Sequence, residues 1–243
     1  HSFLQESGAK KIRFGITTYN ASVRSAISTS LLVIPTKIKD KLYNMTYATP
    51  RLYGQLKMHK AGYPIRPVVA SYTSPSFPLA KFLAIWFSAS TGFKALHGLQ
   101  NSIQLANEWK DLRFPRSCRL ISFDVCSMFT TIPVEFAVDA MYEILVKSGA
   151  TFETADEFEK LILLCAKKNV CCFDGSTFQF PAGLPMGGPL SSLIADVFMD
   201  RLERWILKFS RYAGRVILWS RYVDDVICVW DGSDAELAHF HRA

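Results

Sequence analysis

The chain has 243 residues, of which 49% are hydrophobic, 13% aromatic and 20% charged, a balance that suits a folded globular protein with a sizeable core and excludes a disordered one. No apolar run reaches the roughly 18 residues needed to span a bilayer, because Lys81 interrupts the best candidate, 77–89; no membrane role is expected. Charge is unevenly spread: residues 1–119 hold 17 Lys or Arg against 4 Asp or Glu, and residues 120–243 hold 11 against 17. A basic half attracts phosphate backbones by counterion release, and an acidic half can gather carboxylates around divalent metals. A plain solvated surface explains the charge alone equally well.

The chain opens on His1 rather than Met, and the polar stretch 5–13 has no apolar signal core, so it reads as an excised piece of a longer protein. The six cysteines are few. Cys171 and Cys172 are adjacent in an apolar segment rather than spaced for zinc or redox work, which points to buried thiols in a reducing compartment, nucleus or cytosol.

In chain order, the spacing predicts strands over 51–60 and 63–71 with a turn at Ala61 and Gly62, then a buried helix over 78–90. The charge shift near Leu120 marks a border between two subdomains, 1–119 and 120–243. Beyond it, RLISFDV at 119–125 is a short apolar strand with a carboxylate near its end. A helix follows Pro133, with Ala137, Val138, Met141, Ile144 and Leu145 on one face and Gly149 ending it. Another starts at Thr154, where Thr154 and Glu157 have capping-box spacing, and closes on Lys167 and Lys168. Residues 169–180 form a hairpin around Asp174-Gly175. A long helix over 189–209 is expected to bury Leu193, Ile194, Val197, Phe198, Leu202, Trp205 and Ile206. Residues 215–230 make two β runs flanking Val223-Asp224-Asp225. Ser233 and Glu236 are again spaced as a capping box, so a helix begins at Asp234 and is expected to run to the end of the chain. Hairpins dominate over repeated βαβ units, which argues for an α+β fold with an antiparallel sheet.

The chemistry concentrates in RVILWSRYVDDVICVW, where two adjacent carboxylates lie between apolar β runs. Desolvating such charges is costly unless something neutralises them, and a metal is the natural partner. Asp also favours turns, which is the commoner explanation of Asp-Asp alone; what shifts the balance is Asp124, at the end of another β run. Three carboxylates on neighbouring strand ends can hold two Mg²⁺ roughly 3.5–4 Å apart for phosphoryl transfer.

The motifs at these positions resemble those of reverse transcriptases. Phe123-Asp124-Val125-Cys126-Ser127-Met128-Phe129 is similar to their first catalytic motif and Tyr222-Val223-Asp224-Asp225 to their YxDD motif. GLPMGGPLSS at 183–192 resembles the loop and helix start beneath the incoming nucleotide, and LKMHKAGYPIRPVVAS at 56–71 resembles the fingers hairpin that grips the triphosphate. Within the superfamily, KMHK, RPVVAS, SPSFPLAKFLA, FDVCSMFTTIP and PMGGPLSSLIADVFM are most similar to Penelope-like retroelements, relatives of telomerase. The resemblance covers about 51–230.

It implies a right-hand polymerase fold with fingers in 1–119 and palm in 120–243, the palm an antiparallel sheet packed on helices with a ferredoxin-like core, and no thumb in this stretch. It further implies an RNA-directed DNA polymerase acting on an RNA template, a DNA primer and dNTPs, in the nucleus by preference over the cytoplasm. Two Mg²⁺, or Mn²⁺ in their place, would be held by Asp124, Asp224 and Asp225 with the Val125 carbonyl. Lys57, Lys60, Arg66, Ser127, Met186 and Gly187 would contact the dNTP, with the choice between Lys57 and Lys60 left open by one extra residue in the turn. Phe129 stands where these enzymes carry an aromatic that blocks a ribose 2′-hydroxyl. Local physics agrees in part: Gly183, Gly187 and Gly188 let backbone approach a base pair closely, Pro185 and Pro189 stiffen the loop, and the Arg66 fork is better placed on a phosphate than in a core. Two alternatives stay open, a catalytically inactive, host-adopted RNA-binding protein and an RNA-dependent RNA polymerase, although the latter more typically carries Asp at position 129 and Gly at 223. No P-loop signature is present.

Overall fold

The structure is a computed structural model and describes residues 4, 8–58, 62, 63, 65–180 and 182–242. Among these are eight strands: β1 (Lys10–Ile12), β2 (Arg51–Leu56), β3 (Ile65–Ala70), β4 (Arg119–Asp124), β5 (Val170–Phe173), β6 (Ser176–Gln179), β7 (Val216–Tyr222) and β8 (Asp225–Trp230). With the helices around them they make an α+β fold, as expected. The chain forms two compact units, each assembled from two stretches, His1–Phe93 with Phe129–Ala195 and Lys94–Met128 with Asp196–Ala243. This division follows packing and is a different one from the charge border near Leu120.

The first unit holds a five-stranded sheet in the order β1-β6-β5-β2-β3. β2 and β3 form an antiparallel hairpin running from Arg51 opposite Ala70 to Leu56 opposite Ile65. Its strands are shorter than the sequence pattern predicts, because Gly62 at φ +77° and Tyr63 at φ +46° already belong to the reversal; Lys60 and Ala61, expected in this turn, lie outside the described residues. β5 and β6 meet at Asp174 and Gly175, whose φ values of +48° and +69° are those of the two-residue hairpin turn that Asp-Gly favours. One pairing departs from the antiparallel expectation: β2 meets β5 in parallel at Arg51 and Cys172. Leu52, Val69 and Cys171 form the apolar cluster on this sheet, with Phe173, Phe178 and Phe180 packed against it.

Against the sheet's own cluster stands a helical layer. The Phe77–Thr91 helix buries Leu79, Ala80, Leu83 and Phe87, a repeat of three to four residues that marks one helical face. Gly92 at φ +62° ends it in the left-handed conformation. Trp86 and Phe87 stack on Phe158 of the Phe152–Ala166 helix, at 5.4 and 5.6 Å between ring centroids. The Val134–Lys147 helix adds Ala137, Val138, Met141 and Leu145. Pro133 caps this helix from outside rather than sitting in its first turn.

Helix starts are where the sequence reading needs correction. The Phe152–Ala166 helix begins two residues before Thr154, with Thr151 as its cap, accepting the Thr154 N–H. Glu157 is therefore free of any capping box. Its carboxylate accepts from Ser30 Oγ and from the backbone N–H groups of Leu31, Leu32 and Val33, 124 residues or more away in sequence. Burial opposes the charge, but those hydrogen bonds outweigh it and hold Glu157 below the ordinary carboxylate range.

The second unit is built on the antiparallel sheet β4-β8-β7. Cys228, Trp230 and Phe240 are its buried centre, with Ile121, Phe123, Ile206, Val216 and Trp219 around them. The Asp234–Phe240 helix has the expected reciprocal cap between Ser233 and Glu236 and closes at Phe240, with His241 as its C-cap. It stops at Phe240 instead of continuing through the last described residues as expected. The Ser191–Phe209 helix keeps Ile194 and Val197 buried as expected, whereas Trp205 is exposed at 53%. In its place the helix buries two charged residues, Asp200 and Glu203. Of the thiols, Cys171 and Cys228 are buried and Cys126 is exposed; burial pushes Cys171 up to about 12. No described helix is long and apolar enough to cross a membrane.

Candidate active site

β4 and β8 pair in register from Arg119 opposite Trp230 to Asp124 opposite Asp225. Side chains opposite one another across an antiparallel pair share a face, with Cβ atoms about 4.5–5.5 Å apart. The sequence therefore delivers Asp124 and Asp225 to the same end of the same sheet, both exposed. The third carboxylate, Asp224, lies in the two-residue connection between β7 and β8, and its carbonyl accepts the Val125 N–H at 2.9 Å. That bond ties the β4 end to the turn and engages the N–H of Val125, not its carbonyl.

Like charges directly opposite across a sheet destabilise it. A bound cation would relieve this repulsion, and carboxylate oxygens are the hard donors that Mg²⁺ prefers. Among the described residues no group of three or more His, Cys, Asp or Glu is drawn together as a ready cage. Mg²⁺ keeps several waters and is usually held by one or two carboxylates plus substrate phosphates, so an opposed pair with a third neighbour fits its chemistry.

The turn that carries Asp224 is held under strain. Val223 has φ +57°, a region that a β-branched residue rarely enters and that costs roughly 1–3 kcal/mol. A positive φ at the first central position is what a type II′ hairpin turn demands, normally of Gly. The compensating contact comes from Arg221, whose Nη1 donates to the Val223 carbonyl at 3.0 Å. Arg221 is 1% exposed, and its Nε and Nη1 also donate to Glu203 Oε1 and Asp196 Oδ1, at 2.9 and 3.0 Å. The same Glu203 oxygen accepts from Trp219 Nε1 at 3.0 Å. Burial pushes Glu203 upward, against the pull of Arg221 and Trp219.

This network was not singled out from sequence, although a signal existed. Asp196, Asp200 and Glu203 recur at intervals of four and three on the Ser191–Phe209 helix, which puts them on one face. Asp200 joins in by accepting the Leu96 N–H at 2.6 Å and Arg204 Nε at 2.7 Å. Segment 97–99 then clasps the Arg221 backbone, since the Arg221 N–H reaches His97 O at 2.8 Å and the Leu99 N–H reaches Arg221 O at 2.7 Å.

Several residues expected to contact a nucleotide belong to the first unit, and there β3 is joined to the 183–189 loop. The Val69 N–H donates to Met186 O at 2.9 Å, and Ser71 Oγ donates to Gly187 O at 2.5 Å. Gly187 has φ +105°, and a Cβ there would stand 2.7 Å from Val69 O. Gly183, at φ +77°, is pressed against the Thr130 backbone in the same way. Phe129 is half-buried, and its carbonyl accepts the Leu184 N–H at 2.6 Å. The loop is thus locked to both β3 and the segment after Met128. Arg66 is exposed, paired across the hairpin with Gln55, and Lys57 is half-buried just past β2; Lys60 lies outside the described residues. Ser127 belongs to the second unit, exposed and at φ +54°.

Comparison with known proteins shows the family and the fold. Residues 72–242 match the family model described as reverse transcriptase (RNA-dependent DNA polymerase). No curated protein matches the sequence. Among solved structures, the chain is similar to apo telomerase from Candida tropicalis, with 10% identity over 100% of this chain and 46% of that one, at a TM-score of 0.59. A form of it truncated from its C-terminal domain gives 12% identity, 93% and 52% coverage and a TM-score of 0.57. The BmCPV RNA-dependent RNA polymerase at quiescent state gives 12% identity, 93% and 23% coverage and a TM-score of 0.56. The chain spans about half or less of these structures' length, and at such identities the likeness is one of fold: sheets packed on helices in the manner of polymerase fingers and palm.

Proposed function

We propose that this chain, which belongs to the reverse transcriptase (RNA-dependent DNA polymerase) family, is the part of an RNA-directed DNA polymerase that adds dNTPs to a primer 3′-hydroxyl. The observation that carries the reading is the register of β4 and β8, which sets Asp124 opposite Asp225 with Asp224 in the adjoining turn. Asp124 and Asp224 would be the principal ligands of two Mg²⁺, or of Mn²⁺ in their place, with Asp225 and the Val125 carbonyl in support. When bound, such ions polarise the attacking and leaving oxygens of phosphoryl transfer.

The remaining roles fall to the chain's own side chains. Arg66, with Lys57 or Lys60, would bind the triphosphate through charge-assisted hydrogen bonds. Ser127 would add a polar contact. Met186 and Gly187 would lie beneath the incoming nucleotide, on the loop that β3 holds in place. Phe129 would exclude a ribose 2′-hydroxyl by its ring and so select dNTPs. We assign 1–119 to the fingers and 120–243 to the palm, and the basic excess of 1–119 suits an RNA template and DNA primer. A telomerase of similar fold has been solved with a TWJ fragment of telomeric RNA. Within the family, the KMHK, RPVVAS and PMGGPLSS motifs favour a Penelope-like retroelement, and with it a nuclear site of action.

The test is primer extension by the full-length protein on an RNA template with Mg²⁺, offered dNTPs and rNTPs separately, beside Asp224→Asn. The expected result is dNTP-dependent extension that the substitution abolishes. Extension with rNTPs alone would assign RNA synthesis, and template binding without extension by either set would assign an RNA-binding role.

A further inference from the structure

The geometry points to Arg221 as a positioning residue for the carboxylate turn, held in place by Glu203; the inference rests on the polymerase reading of Asp224 and Asp225. The argument starts from cost. Arg221 and Glu203 are each 1% exposed, and a buried ion pair is commonly no more stabilising than apolar side chains of the same volume. Here it is also imperfectly satisfied, because Arg221 Nη2 and Glu203 Oε2 are buried without a hydrogen-bond partner. Stability alone gives little reason for the pair.

What the pair does supply is direction. The guanidinium is planar and rigid, so Glu203 on Nε fixes where Nη1 points. Nη1 then meets the Val223 carbonyl, the peptide group leading directly into Asp224. Trp219 holds Glu203 from the side, and 97–99 engages both the N–H and the carbonyl of Arg221 along one strand edge. Asp196, half-exposed, shares Nη1 and limits its swing. Each contact restrains the next, from the helix through the guanidinium to the turn. The Val223 carbonyl is thereby held in an arrangement that its own backbone disfavours. Arg221 touches neither carboxylate of the turn in these contacts, so it acts through Val223.

The test uses the full-length protein with Arg221→Lys and Glu203→Gln. Lysine keeps the charge but cannot address Glu203, Asp196 and Val223 together from one plane. Two measurements are made: hydrogen–deuterium exchange over 222–226 without nucleotide, and single-nucleotide incorporation kinetics. For Arg221→Lys, exchange in the hairpin tip rises about fivefold or more while β4 and the Asp234–Phe240 helix are unchanged. The value of kcat falls about 10- to 100-fold with the dNTP KM within about twofold. Glu203→Gln, which retains an oxygen for Trp219 and Arg221, shows the same pattern at smaller amplitude and decides the matter should the lysine variant not fold. Unchanged exchange at 222–226 in a folded variant overturns the assignment. A loosened tip in a protein whose wild type extends no primer leaves the positioning role standing and removes the polymerase reading instead.

Discussion

Asp124 and Asp225 face each other directly across β4 and β8, two like charges at the last pair of a mostly apolar ladder. Such an arrangement lowers stability, and a cation bound between the charges would offset the cost. Asp124→Asn or Asp225→Asn is therefore expected to move the thermal midpoint slightly upward in metal-free buffer while reducing primer extension by about a thousandfold, the rate equivalent of several kcal/mol of lost charge stabilisation. Thermal melts with and without Mg²⁺ check the first half and extension assays the second. A midpoint that drops in metal-free buffer would show that the pair is not repulsive.

Gly187→Ala tests the lock between β3 and the 183–189 loop. The new Cβ meets the Val69 carbonyl oxygen at 2.7 Å, and φ of +105° is unfavourable to any L side chain. Relieving the clash breaks the Val69–Met186 and Ser71–Gly187 hydrogen bonds. A loss of roughly 1–3 kcal/mol in stability is expected, with the dNTP KM raised. Denaturant unfolding and steady-state kinetics measure the two, and a substitution that leaves both alone would mean that the loop is not held at this point.

Phe129→Ala should open room for a ribose 2′-hydroxyl. Because the tie from this residue to Leu184 runs through its backbone carbonyl, the loop stays in place and the ring alone is lost. The expected outcome is a fall of at least about tenfold in the preference for dNTP over rNTP, read from kcat/KM for each. Unaltered discrimination would remove the gate role.

Arg66→Ala should raise the dNTP KM through the loss of one charge-assisted contact, worth about 1.5–3 kcal/mol, with little change in thermal stability because Arg66 is exposed on β3. Unchanged nucleotide kinetics would transfer the role to another cation.

Glu157 gives a pH dependence whose sign is fixed by its shift. Hydrogen bonds from Ser30 and from 31–33 lower its pKa in the folded chain below the ordinary 4.5. The stability it contributes is thus fully present above about pH 4.5 and is lost as pH falls through the lowered folded value. Glu157→Gln should cost about 1–3 kcal/mol at neutral pH and should flatten stability against pH in the acid range. Parallel curves for the two proteins between neutrality and acid would contradict the assignment.

Much of the molecule is legible in the sequence. The apolar repeat of Leu79, Leu83 and Phe87 fixes a helical face, Asp174-Gly175 fixes a hairpin, and Ser233 with Glu236 fixes a cap. Each of these is decided by residues within a few positions of one another. The three carboxylates stand out in the sequence at the ends of β-rich runs, but the burial expected of them there is not found: all three are exposed, and what the fold adds is that Asp124 stands opposite Asp225.

Contacts between distant residues follow another rule, because no local preference records them. Thr154 and Glu157 have the spacing of a capping box, yet Thr151 takes the cap and Glu157 is claimed by the N–H groups of 31–33, which only folding brings near. Trp205 follows an apolar helical pattern and is exposed, while Glu203 two residues earlier is buried because Arg221 and Trp219 arrive from strand β7 to meet it. Sequence alone determined most of the elements beyond residue 50 and the carboxylates they carry, but not β1 or the Ile16–Thr29 and Ser102–Trp109 helices. Tertiary structure decided which strand ends meet, which charge is buried against which, and what holds Val223 in a conformation it would not adopt by itself, since an isolated segment has no means of choosing among hydrogen-bond partners that are not yet beside it.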